Sequence, residues 1–245
     1  MSVIKRCLAG VVILSVAGAG AQAESSDGFK HTLSLGATLT DGNSETMTAN
    51  ASWLSGGEKD HFGSVRIGLE GNYGETTSDE VDEVTIENAK AFANAKKTLS
   101  EMSFVYVDAT WMYDDIASVD YRAIMSVGPG VYVMKDDAAS LFVEAGPAYV
   151  WEKVDGISDD YASLRVAQRY DRALSETAKV WQSLEYIPEV DDFDAYLLNT
   201  EIGAEAALNA SLSLRLVVQS KYNSAPGVDL EKNDLSLIAG LSLSL

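Results

Sequence analysis

FKHTLSLGATL, residues 29–39, decides the fold: Phe29, His31, Leu33, Leu35, Ala37 and Leu39 alternate with Lys30, Thr32, Ser34, Gly36 and Thr38. A period of two belongs to a β-strand with one apolar and one polar face. The pattern returns in Val65, Ile67, Leu69, Gly71 and Tyr73 against Arg66, Gly68, Glu70 and Asn72, and in Leu141, Val143, Ala145, Pro147, Tyr149 and Trp151 against Glu144, Gly146 and Glu152. Leu212, Leu214, Leu216 and Val218 oppose Ser213, Arg215 and Gln219, and Leu235, Leu237, Ala239, Leu241, Leu243 and Leu245 follow the same rule.

Carried along the chain, this reading yields about twelve strands, near 29–40, 45–55, 62–73, 84–96, 102–113, 119–134, 140–152, 161–173, 177–187, 193–207, 211–222 and 234–245. They are long: a soluble strand averages about 5 to 6 residues, whereas a tilted strand crossing a bilayer needs about 9 to 11. An even number of long, two-faced strands predicts an all-β fold, a transmembrane antiparallel up-and-down β-barrel. Stretches 56–60, 99–101, 135–139, 174–177 and 208–210 are short connections, and the gaps between them hold longer acidic stretches, so short turns at one end and longer loops at the other are expected. Residues 88–99 and 162–182 are rich in helix formers. Ala162, Leu164, Val166 and Tyr170 nevertheless alternate with Ser163, Arg165, Arg169 and Asp171, and both segments are read as strands. Gln168 falls on the apolar side, and Trp181 and Gln182 compete for it.

Residues 1–23 carry Lys5 and Arg6, an apolar run from Cys7 to Val16 and a small-residue exit at Ala21-Gln22-Ala23, the layout of a cleaved signal peptide. About 222 residues, 24–245, then form the barrel. Cys7 is the one cysteine, so the mature part has no disulfide, thiolate or cysteine metal chemistry. Net charge is −19 for the whole sequence, which excludes nucleic acid as a natural partner because its phosphates would be repelled.

Trp53, Tyr73, Trp111, Tyr113, Tyr121, Tyr149, Trp151, Tyr170, Tyr186, Tyr196 and Tyr222 lie mostly near strand ends, where amphipathic rings sit at headgroup level. Tyr106 and Tyr132 fall mid-strand and do not fit such girdles. If the apolar faces meet lipid, the lumen is lined by Arg66, Arg122, Glu144, Arg165, Arg169 and Arg215, with Glu70, Glu152, Asp171, Glu201 and Lys221 beside them. Such a mixed lining has two meanings, a water-filled pore with a local field or a plug of satisfied ion pairs.

Chemistry is sparse. His31 and His61 stand apart with no H-x-x-x-H spacing, so no zinc site is expected, and there is no G-x-S-x-G elbow or phosphate loop. The chain is read as no enzyme, with no catalytic, cofactor-binding or metal-binding residues and no cofactor. Acidic clusters at Asp79, Glu80, Asp82 and Glu83, at Asp155, Asp159 and Asp160, and at Glu189, Asp191, Asp192 and Asp194 read as solvated loops in preference to a divalent-cation site. Asp41-Gly42-Asn43 and Asn223-Ser224-Ala225-Pro226-Gly227 read as turns.

GNSET at 42–46, RYDRALSET at 169–177, WQSLEYIPEVDDFDAY at 181–196, SLSLRL at 211–216 and YNSAPG with KND up to Asp234 resemble the salt-induced outer-membrane protein family, described as YdiY-like, a domain of unknown function. The resemblance implies an outer-membrane barrel of a Gram-negative bacterium, exported through a cleaved signal peptide and linked to salt or osmotic stress. Its partners would be outer-membrane lipids and lipopolysaccharide, with barrel assembly machinery and periplasmic chaperones during biogenesis. Three functions stand open at this stage: a small passive pore for ions or small solutes, a non-conducting structural or adhesive barrel, and a soluble periplasmic β-protein binding an apolar ligand.

Overall fold

The structure is a computed structural model that describes residues 29–40, 45–59, 63–78, 81–227 and 230–245. The expected signal peptide 1–23, the Asp41-Gly42-Asn43 turn, His61, Asp79 and Glu80 lie outside the described residues. Twelve strands follow in chain order: β1 (Phe29–Thr40), β2 (Glu45–Lys59), β3 (Gly63–Ser78), β4 (Val81–Ser100), β5 (Ser103–Asp114), β6 (Val119–Lys135), β7 (Ala139–Val154), β8 (Ile157–Ala173), β9 (Ala178–Pro188), β10 (Tyr196–Ala207), β11 (Leu212–Asn223) and β12 (Asn233–Ser244). Each pairs antiparallel with its chain neighbours, and β1 pairs with β12, so the sheet closes into a barrel. The helix-prone segments are strands β4, β8 and β9, because ladder bonds on both sides outweigh an intrinsic preference of a few tenths of a kcal/mol per residue.

Expectation and structure part at the acidic stretches. Asp82 and Glu83 lie on β4, and Asp159 and Asp160 on β8, because the hairpins run on beyond the predicted strand ends. Asp155 and Gly156 both have positive φ, 51° and 74°, and make the two-residue turn that carries Val154 directly into pairing with Ile157. On the other hairpin, Thr77 Oγ1 donates to Asp82 at 2.7 Å. Segments 189–195 and 224–232 are the longest connections at that end of the barrel.

The pleat sorts the side chains. Leu35, Ile67, Leu69, Val107, Val127, Leu164, Ile202, Leu214 and Leu237 are exposed on the outer surface, each at least 38% accessible, so the outside is an apolar belt suited to lipid. Trp181 points inward, which turns Gln182 outward. There Gln168 Nε2 donates to Gln182 Oε1 at 2.6 Å, so the polar pair on the apolar face satisfies itself. The outer aromatics gather in clusters: Tyr149 with Trp151, with centroids 4.8 Å apart, Tyr186 and Tyr222 on either side of Tyr196, and His31 stacked on Trp53 near the chain ends. Tyr106 and Tyr132 belong to the interior, where Tyr106 is 1% exposed and Tyr132 packs on Phe104 and Phe142.

Three inward aromatics lie directly opposite glycines across the ladder: Phe92 over Gly68, Phe104 over Gly130 and Trp181 over Gly203. A Cβ on Gly130 would stand 2.3 Å from the Phe104 ring, and one on Gly203 would stand 2.0 Å from Trp181. Glycine here is the seat on which the ring folds flat against the wall. Gly130→Val is expected to lower barrel stability by about 1–3 kcal/mol, read as a shifted urea midpoint of tryptophan fluorescence for the refolded protein.

Candidate functional site: the lumen

The inward residues of β4 to β10 include most of the lumen's large and charged side chains. Glu144, 3% exposed, accepts from Arg165 Nη1 at 2.8 Å and takes Lys96 Nζ at 2.8 Å as an ion contact through its other oxygen. Arg165 also donates through Nε to Glu185 Oε1 at 2.5 Å, and its guanidinium lies 5.2 Å from the Tyr106 ring centre. Lys96 sits 3.2 Å from the Phe142 ring centre. Asn94 holds Asp108, and Asn199 holds the second oxygen of Glu185. Farther towards the 189–195 loop, Arg122 pairs with Glu152, and Ile124, Ala148, Val150, Ile187 and Leu197 form an apolar cluster inside the wall with Tyr161 packed against it. Charge is tolerated at this depth because nearly every carboxylate and cation is paired or hydrogen-bonded.

The inward face of β12, β1 and β2 carries small side chains. Ser34, Asn50, Ser52, Gly240 and Ser242 face inward there, and Ser34 Oγ meets Ser242 Oγ at 2.7 Å across the seam of β1 and β12. A cavity of about 910 Å³ lies in the lumen and is bordered by residues of all twelve strands, Arg66, Glu70, Asn72, Lys90, Arg169, Glu201, Arg215 and Gln219 among them.

One ion pair spans the barrel. β5 and β11 are six strands apart either way round the closed sheet, and Lys221 Nζ on β11 reaches Asp114 Oδ2 on β5 at 3.3 Å. Asp114 is 6% exposed and also accepts from the Ala117 amide. This bar crosses the lumen at the end that carries the 189–195 and 224–232 connections.

Arg66, Arg122, Glu144, Arg165, Arg169 and Arg215 all border the large cavity. Arg122, Glu144, Arg165 and Arg169 are locked in ion pairs, the last with Asp171, whereas Arg66 and Arg215 have no carboxylate within ion-pair distance among the described residues. Sequence reading missed Lys96, Asp114 and Glu185. Glu185 follows from Trp181 at a spacing of four once that strand's facing is known, Lys96 was hidden in the helix-prone segment, and Asp114 lies one residue past the predicted strand end. Among the described residues no group of His, Cys, Asp or Glu is arranged to hold a metal ion.

A family model described as "Protein of unknown function, DUF481" matches residues 33–244. The chain belongs to this family. "Uncharacterized protein YdiY" of Escherichia coli strain K12 is 23% identical over 201 residues, covering 81% of this chain and 75% of that protein. Among solved structures, the NanC porin superposes with a TM-score of 0.49 at 9% identity, covering 87% of this chain and 98% of that one. The translocator domain of autotransporter NalP from Neisseria meningitidis gives a TM-score of 0.46 at 12% identity and 90% coverage of both chains.

Two outcomes follow from this geometry. Glu144→Gln is expected to destabilise the folded barrel by about 3 kcal/mol or more, because Arg165 and Lys96 lose a shared buried counter-ion; equilibrium unfolding in urea measures it. At the loop end, burial and the neighbouring Glu152, Asp159, Asp192 and Asp191 raise the Glu189 carboxyl above its ordinary value. The folded form therefore holds that proton more tightly than the unfolded form, and this favours folding in acid and is lost as pH rises through the folded-state value. Glu189→Gln should melt higher than the unaltered protein at neutral pH, and the difference should vanish on acidification.

Proposed function

We propose that the chain is an outer-membrane barrel that works as a small passive pore for ions and small polar solutes, with no catalytic role. The observation that carries this reading is the cavity of about 910 Å³ inside a closed barrel, lined largely by charged and polar side chains. A barrel whose only task was rigidity would fill its lumen. The apolar belt argues for lipid around the barrel and against a soluble periplasmic binder of apolar ligands. Outer-membrane lipids and lipopolysaccharide would then contact the belt, and assembly machinery and chaperones would deliver the chain. The resemblance to salt-induced outer-membrane proteins supports osmotic or ionic stress as the setting.

The non-conducting barrel is the second reading, favoured by the Lys221–Asp114 bar across one mouth. Planar-bilayer recording of the refolded protein separates the two, with heat-modifiable gel migration as the check on folding. Discrete conductance steps, larger in Lys221→Met than in the unaltered protein, are the expected result. A heat-modifiable barrel silent in both forms would sink the pore.

A further inference from the structure

Three guanidiniums line the same cavity, Arg66 on β3, Arg169 on β8 and Arg215 on β11, and Arg66 lies within electrostatic reach of the other two. The carboxylates in this stretch of lumen are Glu70, Asp171, Glu201 and Glu205; Glu70 stands opposite Lys90 on the ladder, and the other three are already engaged. Asp171 takes Nε and Nη2 of Arg169, both at 2.8 Å. Glu201 accepts from Trp181 Nε1 at 2.5 Å and from Gln219 Nε2 at 2.9 Å. Glu205 stands opposite Arg215 on the ladder, yet it pairs with Lys179 at 3.1 Å.

Arg66 and Arg215 are left without an ion-pair partner among the described residues. Arg215 is held in place without a counter-ion: its guanidinium lies 5.1 Å from the centre of the Trp181 ring, which is itself seated on Gly203 and tied to Glu201. A guanidinium stacked on a ring keeps its in-plane N–H donors free for a planar or tetrahedral oxyanion. Arg66 and Arg215 both line the large cavity with Ser52, and Arg215 also borders the recess of Ser34, Asn50 and Gly240. Both side chains are partly accessible, so an anion in the lumen can reach them.

We propose that Arg66 and Arg215 form an anion subsite in the lumen, which takes the carboxylate or phosphate group of a small solute as it moves along the β11 to β3 wall. The subsite rests on the pore reading and gives it a class of solute, small organic or inorganic oxyanions. Arg122 and Arg165, being paired, take no part in it.

The test is the reversal potential of the refolded full barrel in a planar bilayer under a potassium chloride gradient, with citrate and inorganic phosphate added in turn as blockers. The unaltered protein should be more permeable to anions than the Arg66→Gln, Arg215→Gln double variant. Block by at least one of the two anions should weaken about tenfold in that variant and be largely kept in the Arg66→Lys, Arg215→Lys form. Block by citrate alone would assign carboxylates, and block by phosphate alone would assign phosphates. A conducting barrel whose reversal potential and block are the same in all three forms overturns the subsite and leaves the pore intact. If no form conducts, the pore reading falls, and the subsite is judged by thermal stabilisation of the detergent-folded barrel in citrate or phosphate. Stabilisation lost in the glutamine variant keeps the subsite, and none in any form removes it.

Discussion

Inside a bilayer no water is available to a backbone N–H or C=O, so every strand in the apolar belt needs a neighbour on both sides. Closure of β1 onto β12 answers that need, and the rest follows from it. A closed sheet has an inside and an outside, and a period of two then assigns each residue to one or the other. Leu, Val and Ile go to the outer belt, and the charged set goes to the lumen, where most charges are paired.

Much of this was legible from alternation alone. All twelve strands were found, because a strand exposed to different solvents on its two faces must alternate over its whole length. Their ends were harder. Beyond the belt both faces of a hairpin meet water, alternation lapses, and Asp82, Glu83, Asp159 and Asp160 look like loop when they are strand. Facing nominates residues for the lumen, but it does not say who pairs with whom. Only the closed geometry distinguishes Arg165, held by two carboxylates, from Arg215, held by a ring. Lys96 and Asp114 escaped because one sat in a segment of helix formers and the other at a strand terminus.

The asymmetry of the lumen has a steric origin. Phe104, Phe92 and Trp181 can lie flat because the residue opposite each is glycine, and this thickens the wall where it occurs. On β12, β1 and β2 Gly240, Ser242, Ser34, Asn50 and Ser52 face inward, so the wall is thin there. The thickness of the wall thus follows side-chain size along strands of nearly identical backbone.

Among the described residues, β1 and β12 pair over only Thr32–Leu35 and Leu241–Ser244, where most other neighbours share eleven or more pairs. This joint links residues some 208 positions apart, as in Ser34 with Ser242, so no local segment can nucleate it. Hairpins form cheaply and in any order, but the ring exists only once the two ends of the chain have met. Cylinder formation is thereby an all-or-none event at a short clasp. During assembly the chain is an open, curved ribbon with two unsatisfied edges, and any factor that covers those edges governs when the cylinder appears.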